Sequence, residues 1–141
     1  MTYEEASNFT YEELSNFTYL ELSLEKSELL QKLINDNCKD ISSSVLDKLQ
    51  KLCQNFMTSC DKYNIDIPKE IQPIKNKKSL SIMDIFAIIG IIVEMLTLAY
   101  NIYSASNAQT VNNIYINQTI NYIQQNDYIN DIDIIINELT H

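Results

Sequence analysis

The stretch SIMDIFAIIGIIVEMLTLAYNIYS, residues 81–104, is the most hydrophobic part of the chain and decides its fold. Ser81 followed three positions later by Asp84 has the pattern of a capping box, which predicts that a helix begins at Ile82. This helix is expected to end near Tyr103, which gives about 22 residues and about 33 Å of length. So long an apolar helix must bury one side in a protein core or cross a bilayer.

Polar residues of this predicted helix fall along one stripe. At about 100° per residue, Asp84, Glu94 and Asn101 share an arc with small residues such as Ala87 and Gly90. The remaining arc is apolar and consists of Ile85, Ile88, Ile89, Ile92, Leu96, Ala99, Tyr100 and Tyr103. A coherent polar stripe is typical of a helix whose apolar face packs in the core of a soluble protein.

The same helix has the length of a single membrane span. Four lysines precede it and none follow, so a span would have its N-terminus inside, as in an inner-membrane protein. Glu94 near the middle opposes insertion by about 2.5–3.5 kcal/mol, whereas each Ile or Leu favours it by about 0.3–0.6 kcal/mol. Both interpretations stay open, and we favour a buried helix in a cytoplasmic protein because the helices before it need a third element to pack against.

The N-terminus carries an octapeptide repeat, since residues 2–9 read TYEEASNF, residues 10–17 read TYEELSNF and residues 18–22 read TYLEL. Each threonine is followed three positions later by a glutamate, which is again the capping-box pattern. In one continuous helix, equivalent positions would drift by about 80° per repeat. The repeat therefore predicts short capped turns that lead into a helix starting at Thr18.

The repeat also supplies our candidates for contact with a partner, because aromatic anchors dominate the energy of protein interfaces. A single capped turn is marginal in water, so its aromatic residues must pack on the body of the protein or on a partner. The candidate partner-binding residues are Tyr3, Glu4, Glu5, Phe9, Tyr11, Glu12, Glu13, Phe17 and Tyr19.

Two amphipathic helices are predicted in the first half of the chain. Apolar residues recur at helical spacing from Thr18 to about Asn35, and again, after a serine cap at residues 42–44, to about Tyr63. Residues 64–79 hold both prolines and four lysines, which predicts a linker. The predicted organisation is thus 1–63, a linker at 64–79, and 80–141, with 18–63 and 80–141 packed as one unit.

The C-terminal tail is ambiguous between strand and helix. Residues 110–123 alternate in part, which predicts a strand or small hairpin, whereas Ile116, Ile120 and Ile123 fit a helix. A last helix is predicted over 127–139, capped by Asn126 or Asp127. The predicted fold class is mainly α: a small bundle of three to four helices, with N-terminal capped turns and a C-terminal strand or hairpin.

Composition argues against catalysis. The 141 residues include one glycine, one histidine and no arginine. One glycine cannot build a phosphate-binding loop, and the terminal His141 leaves little room for histidine-based acid–base or metal chemistry. Asp84 and Glu94 would lie about 15 Å apart along one helix, beyond the spacing of paired glycosidase carboxylates. We expect no enzyme, no cofactor and no metal site.

The cysteines and the N-terminus indicate the compartment. Cys38, Cys53 and Cys60 are odd in number and form no Cys-x-x-Cys motif, which is typical of reduced thiols in a cytosolic protein. The first residues contain no basic region followed by an apolar one, so we expect no signal peptide.

The charge is negative and unevenly distributed. The net charge is −9, and it divides into −6 for residues 1–36, +3 for residues 37–78 and −6 for residues 79–141. Such a chain repels a phosphate backbone, which argues against direct binding of nucleic acid. A partner protein with a basic surface is electrostatically complementary to it.

These observations favour a non-enzymatic protein that acts by binding another protein. A stoichiometric inhibitor, an antitoxin, or an anti-defence (anti-CRISPR-like) protein of a phage or mobile element that occludes a basic groove fits this profile. One alternative is a single-span membrane protein that oligomerises through helix 82–103, using Glu94 and Asn101. A second alternative is a structural homo-oligomer held by the same helix and the Ile/Asn-rich tail.

Overall fold

The computed structural model describes residues 11–105 and 114–141, and these residues are mainly helical. They contain five α-helices and a short 3-10 turn over Gln72–Ile74, with no strand within the described ranges. The helices are α1 (Tyr11–Asn37), α2 (Ser43–Lys62), α3 (Ile82–Ser104), α4 (Ile114–Gln125) and α5 (Tyr128–Thr140).

Helix α3 lies at the centre of the bundle and packs against α1, α2 and α4. The predicted capping box is confirmed: the Asp84 amide donates to Ser81 Oγ at 3.1 Å, and the Ser81 amide donates to the Asp84 carboxylate at 3.0 Å. The residues of the predicted apolar arc are buried, except that Tyr100 is half-buried, and Met95 is buried in addition. The buried residues of α3 are Ile85, Ile88, Ile89, Ile92, Met95, Leu96, Ala99 and Tyr103.

Helix α1 is continuous from Tyr11 to Asn37, so the predicted short turns and restart at Thr18 are wrong for the second repeat. The Thr18 hydroxyl does not cap a new helix but donates to the Leu14 carbonyl of the preceding turn at 3.0 Å. Tertiary packing explains the difference, because Phe17 and the following turns share one buried stripe that a restart would interrupt. The first repeat lies in residues 1–10, outside the described part of the chain.

The buried stripe of α1 contains two serines where a core usually has apolar residues. The Ser23 hydroxyl donates to the Tyr19 carbonyl at 2.8 Å, and the Ser27 hydroxyl donates to the Ser23 carbonyl at 2.7 Å. Ser27 also shares a 2.7 Å hydrogen bond with the hydroxyl of Tyr128 on α5. These bonds satisfy the buried hydroxyls, and the small serine side chains leave room for α5 to pack on α1.

Residues 114–125 form α4, so the predicted C-terminal strand or hairpin is wrong over these residues. The strand pattern placed Ile114 on the buried face and Thr119 on the polar face, but Ile114 is 73% exposed and Thr119 is 1% exposed. Packing of α4 on α3 and α5 outweighs the β-propensity of its isoleucine, threonine and tyrosine residues. Because α4 is an additional helix, the count of three to four was too low.

The segment between α2 and α3 packs on the core. Its chain leaves α2 through Asn64, whose φ of 56° is left-handed, and the Ile65 amide donates to the Cys60 carbonyl at 2.8 Å. This is the hydrogen bond of a Schellman helix end, with asparagine in the position that glycine usually takes. Ile71 and Leu80 of this segment are buried and belong to the same apolar cluster as the helices.

The two neighbouring isoleucines of α4 provide a test of its helical packing. Ile116→Ala should lower the free energy of unfolding by about 2–4 kcal/mol, because its side chain is fully buried, whereas Ile114→Ala should change it by less than about 0.5 kcal/mol. Urea denaturation followed by circular dichroism measures both. Similar losses for the two variants would instead place both residues on one buried face, as in a strand.

Candidate functional site

The predicted partner-binding residues of the second repeat lie at the start of α1. Tyr11 is 90% exposed, Glu12 is exposed, and Glu13 is half-buried. The remaining predicted residues of the first repeat lie outside the described ranges, namely Tyr3, Glu4, Glu5 and Phe9.

Phe17 and Tyr19 make their contacts within the fold. The Phe17 ring is buried between Tyr100 and Tyr103 of α3, with both ring-centroid distances at 5.3 Å. The Tyr103 hydroxyl donates to the Glu13 carbonyl, and the Tyr19 hydroxyl donates to the Ile123 carbonyl at 3.4 Å. These aromatic residues therefore hold the first turns of α1 on α3 and α4.

An acidic stripe runs along α1 beside these aromatic contacts. Glu21, Glu25 and Glu28 are spaced by four and three residues, so they share one helix face, and we call them the α1 acidic stripe. None of the three forms an ion pair with a described residue. These three glutamates were not among the predicted contact residues, although their spacing of four and three residues is visible in the sequence.

The α1 acidic stripe lies next to Tyr100 of α3. The Tyr100 hydroxyl donates to the Glu21 carboxylate at 3.4 Å. Loss of hydration, together with the charges of Glu21 and Glu25, raises the pKa of Tyr100 above its usual value. The phenol therefore stays neutral at physiological pH and adds a hydrogen-bonding group to the edge of an anionic surface.

The predicted polar stripe of α3 separates into two parts. Asp84 belongs to the helix cap and pairs with Lys77 at 3.1 Å, and hydrogen bonding to the Ser81 backbone is the main reason that its pKa is lowered. Glu94 and Asn101 are exposed, and Glu94 forms no ion pair with a described residue. Only this second part of the stripe is open to a partner.

Glu94 stands at the rim of a groove of about 250 Å³, which we call the α3–α4 groove. It lies between α3, α4 and the turn that follows α2. Apolar and aromatic side chains form much of it, and polar side chains complete its lining. The lining residues are Phe56, Asn64, Ile65, Asp66, Pro68, Ile91, Glu94, Met95, Leu98, Tyr115 and Gln118.

Tyr115 ties α4 to α3 beside this groove. Its hydroxyl donates to the Met95 carbonyl at 3.2 Å. Burial and the nearby charge of Glu94 raise the pKa of Tyr115, so its hydroxyl stays a hydrogen-bond donor to a higher pH than an exposed tyrosine would. The wall of the groove is thereby fixed to the central helix.

Two of the three cysteines, Cys53 and Cys60, are buried and offer little reactivity, whereas Cys38 is exposed. Cys53 is buried and its Sγ lies 3.9 Å from the Ile85 carbonyl, and burial raises its pKa far above the usual range. Burial also raises the pKa of Cys60 to about 11, with Asp61 adding to the effect and Lys75 opposing it. A protonated thiol is a poor nucleophile. Within residues 11–105 and 114–141, no cluster of three metal-binding side chains is present.

Comparison of the chain with protein-family models, with curated proteins and with solved structures finds no match. Among the described helices, α3 alone is long and apolar enough to cross a membrane, judged by length and composition. Its most apolar window is 39% buried inside the protein. Because no similar protein was found, the functional proposal below is based on the surface of this chain.

The raised pKa values of the Tyr103 hydroxyl and the Cys60 thiol make the stability of the folded protein decrease at alkaline pH. Burial, together with the charge of Glu13, raises the pKa of Tyr103 to about 12, and Cys60 titrates at about 11, against ordinary values of 10.0 and 9.0. Their contribution to stability is complete below pH 9 and is lost as the pH rises through about 12, because the unfolded chain releases these protons first.

Urea midpoints should therefore stay nearly constant up to about pH 9 and fall between about pH 9 and about pH 11. Tyr103→Phe should reduce this fall, whereas Tyr11→Phe should not, because Tyr11 is almost fully exposed. A midpoint that stays constant over this range would contradict the burial of these groups.

Proposed function

We propose that this protein is not an enzyme and acts by binding a partner protein that has a basic surface, through the α1 acidic stripe and the adjoining edge of α3. The observation that carries the proposal is that Glu21, Glu25 and Glu28 share one helix face and form no ion pair with a described residue, although Lys32 follows them on that face. Like charges three or four residues apart destabilise a helix by about 0.2–0.5 kcal/mol per pair. A basic partner would remove this repulsion.

The lysines support the proposal by their positions. Lys26 pairs with Asp133 and Lys48 pairs with Glu138, so both connect α5 to the other helices. Three more lysines form ion pairs that stay within α2 or involve the segment that follows it; these are Lys51, Lys75 and Lys77. Five of the ten lysines are thus paired with acids outside the α1 acidic stripe, and the stripe itself forms no ion pair with a described residue.

The partner chemistry follows from this arrangement. Surfaces of opposite charge attract during encounter, and an acidic helix can cover a basic groove that would otherwise hold nucleic acid. We therefore propose the class of stoichiometric inhibitors, antitoxins and anti-defence proteins of phages or mobile elements. Proteins of these classes act by covering a functional surface of the partner and do not need to catalyse a reaction.

Charge neutralisation on α1 tests this proposal. A triple variant with Gln at Glu21, Glu25 and Glu28 should keep its free energy of unfolding within about 0.5 kcal/mol, because loss of like-charge repulsion offsets loss of the Glu28–Lys32 attraction, yet lose the partner that the unmodified protein retains from extracts of its native host. The control neutralises three exposed acids outside α1, Asp40, Asp47 and Glu70. Quantitative mass spectrometry of the bound fractions compares the three proteins.

The proposal requires one protein that is retained by the unmodified chain and by the control but reduced at least about tenfold on the triple variant, a difference of about 1.4 kcal/mol. Equal retention by all three proteins would contradict a role of the α1 acidic stripe.

The apolar composition of α3 favours a second candidate, a membrane span that oligomerises. Insertion would require α3 to leave α1, α2 and α4, and thus to replace its buried contacts with lipid contacts. The same step would expose the apolar faces of the other helices to water. We therefore propose that α3 remains in the core of a cytoplasmic protein.

Fractionation separates these two candidates. The untagged protein should stay in the supernatant after ultracentrifugation without detergent. Glu94→Leu should leave it there or cause aggregation that detergent does not reverse, because the variant enlarges an exposed apolar surface. Recovery of the unmodified protein only from a detergent-solubilised membrane fraction would contradict the proposal.

A further inference from the structure

We propose that the α3–α4 groove binds a short segment of a partner protein in which an apolar side chain is flanked by lysine or arginine. This inference rests on the proposed function for one point only, that the partner is a protein with basic character. The groove is a different surface from the α1 acidic stripe, and so it can be tested separately.

The size of the groove suits a peptide side chain. Its volume of about 250 Å³ falls below the range of about 300–1,000 Å³ that is typical of sites enclosing a whole small molecule. Phe56 and Met95 are buried within it, whereas Leu98 is 48% exposed at its edge. A single apolar side chain can cover Leu98 and reach the aromatic floor without the rest of the peptide being enclosed.

The rim of the groove carries negative charge. Asp66 and Glu94 are both exposed, line the groove, and form no ion pair with a described residue. Two lysines near this turn have other partners, because Lys62 lies over the Tyr63 ring at 5.3 Å and Lys75 pairs with an aspartate on α2, whereas Lys69 is exposed beside Pro68 and pairs with neither rim carboxylate. Cationic side chains on both sides of an apolar anchor would complement these two carboxylates.

Two carboxamides at the rim can hold the backbone of such a segment. Asn64 and Gln118 line the groove, and their side chains form no hydrogen bond with a described residue. Each carboxamide can donate to a carbonyl and accept from an amide. The helix end fixes the position of Asn64, because the following Ile65 amide is bonded to the Cys60 carbonyl. The polar groups around the groove are therefore partly positioned before binding.

Charge argues against the chain's own remaining segments as occupants. Residues 1–10 contain two glutamates and no lysine, and residues 106–113 contain no charged side chain. Neither segment supplies the cationic side chains that would complement Asp66 and Glu94. The occupant that fits both the apolar floor and the acidic rim is a basic segment of another protein.

The test uses the full-length, isotopically labelled protein and a synthetic peptide of sequence Gly-Lys-Leu-Phe-Lys-Gly. Amide chemical shifts are followed in two-dimensional NMR spectra during titration. Two control peptides replace either both lysines with glutamate or the Leu-Phe pair with Ser-Ser. We expect the first peptide to shift the amides of Asn64, Leu98 and Gln118, and both controls to bind at least about fivefold more weakly.

Matched variants then test the rim. The double variant Asp66→Asn with Glu94→Gln should weaken binding of the basic peptide by about three- to tenfold, because each exposed charge pair contributes modestly. The control is Asp36→Asn with Asp40→Asn, which removes the same charge at the end of α1 and in the turn after it, outside the groove lining, and should leave the affinity within about twofold.

The outcomes separate the groove from the wider function. Equal binding of the lysine and glutamate peptides, shifts confined to other surfaces, or concentration-dependent shifts without any peptide, as a second copy would cause, would each overturn the groove proposal. None of these results affects the partner capture by the α1 acidic stripe. Conversely, if the α1 acidic stripe proves not to retain a partner, the peptide titration still shows whether the α3–α4 groove binds a basic segment.

Discussion

Burial of the apolar face of α3 is the constraint on which the rest of the structure depends. Ile85, Ile88, Ile89 and Ile92 are completely buried, and each such side chain contributes about 1.5–3 kcal/mol relative to exposure. Because α1, α2 and α4 all pack on this one helix, its orientation sets theirs. The polar residues Glu94 and Asn101 are exposed as a consequence, since they lie outside the buried arc of the helix.

The aromatic contact at the end of α3 determines where the acidic charge of α1 lies. Phe17 packs between Tyr100 and Tyr103, which holds the start of α1 against the end of α3. With that end fixed, Glu21 falls beside the Tyr100 hydroxyl, and the α1 acidic stripe continues along the same helix. The position of the proposed binding surface therefore follows from core packing, and Glu21, Glu25 and Glu28 themselves form no ion pair with a described residue that would stabilise the fold.

The sequence predicted the features that arise from contacts within one helix. The capping box at Ser81 and the apolar arc of α3 depend on spacing alone, and both are present. Thr18 and residues 114–125 were misassigned because their local signals are overruled by distant contacts, with α3 in one case and with α3 and α5 in the other. The α3–α4 groove could not be predicted, because Asp66, Glu94 and Gln118 meet only through the tertiary fold.

Folding and binding use different charges in this protein. The ion pairs of Lys26 and Lys48 hold α5 in place, whereas Glu21, Glu25 and Glu94 form no ion pair with a described residue. A basic partner that docks on these glutamates would not need to break an ion pair that stabilises the bundle. Electrostatic association would therefore add to the stability of the folded chain, because a ligand that binds only the folded state stabilises it by mass action.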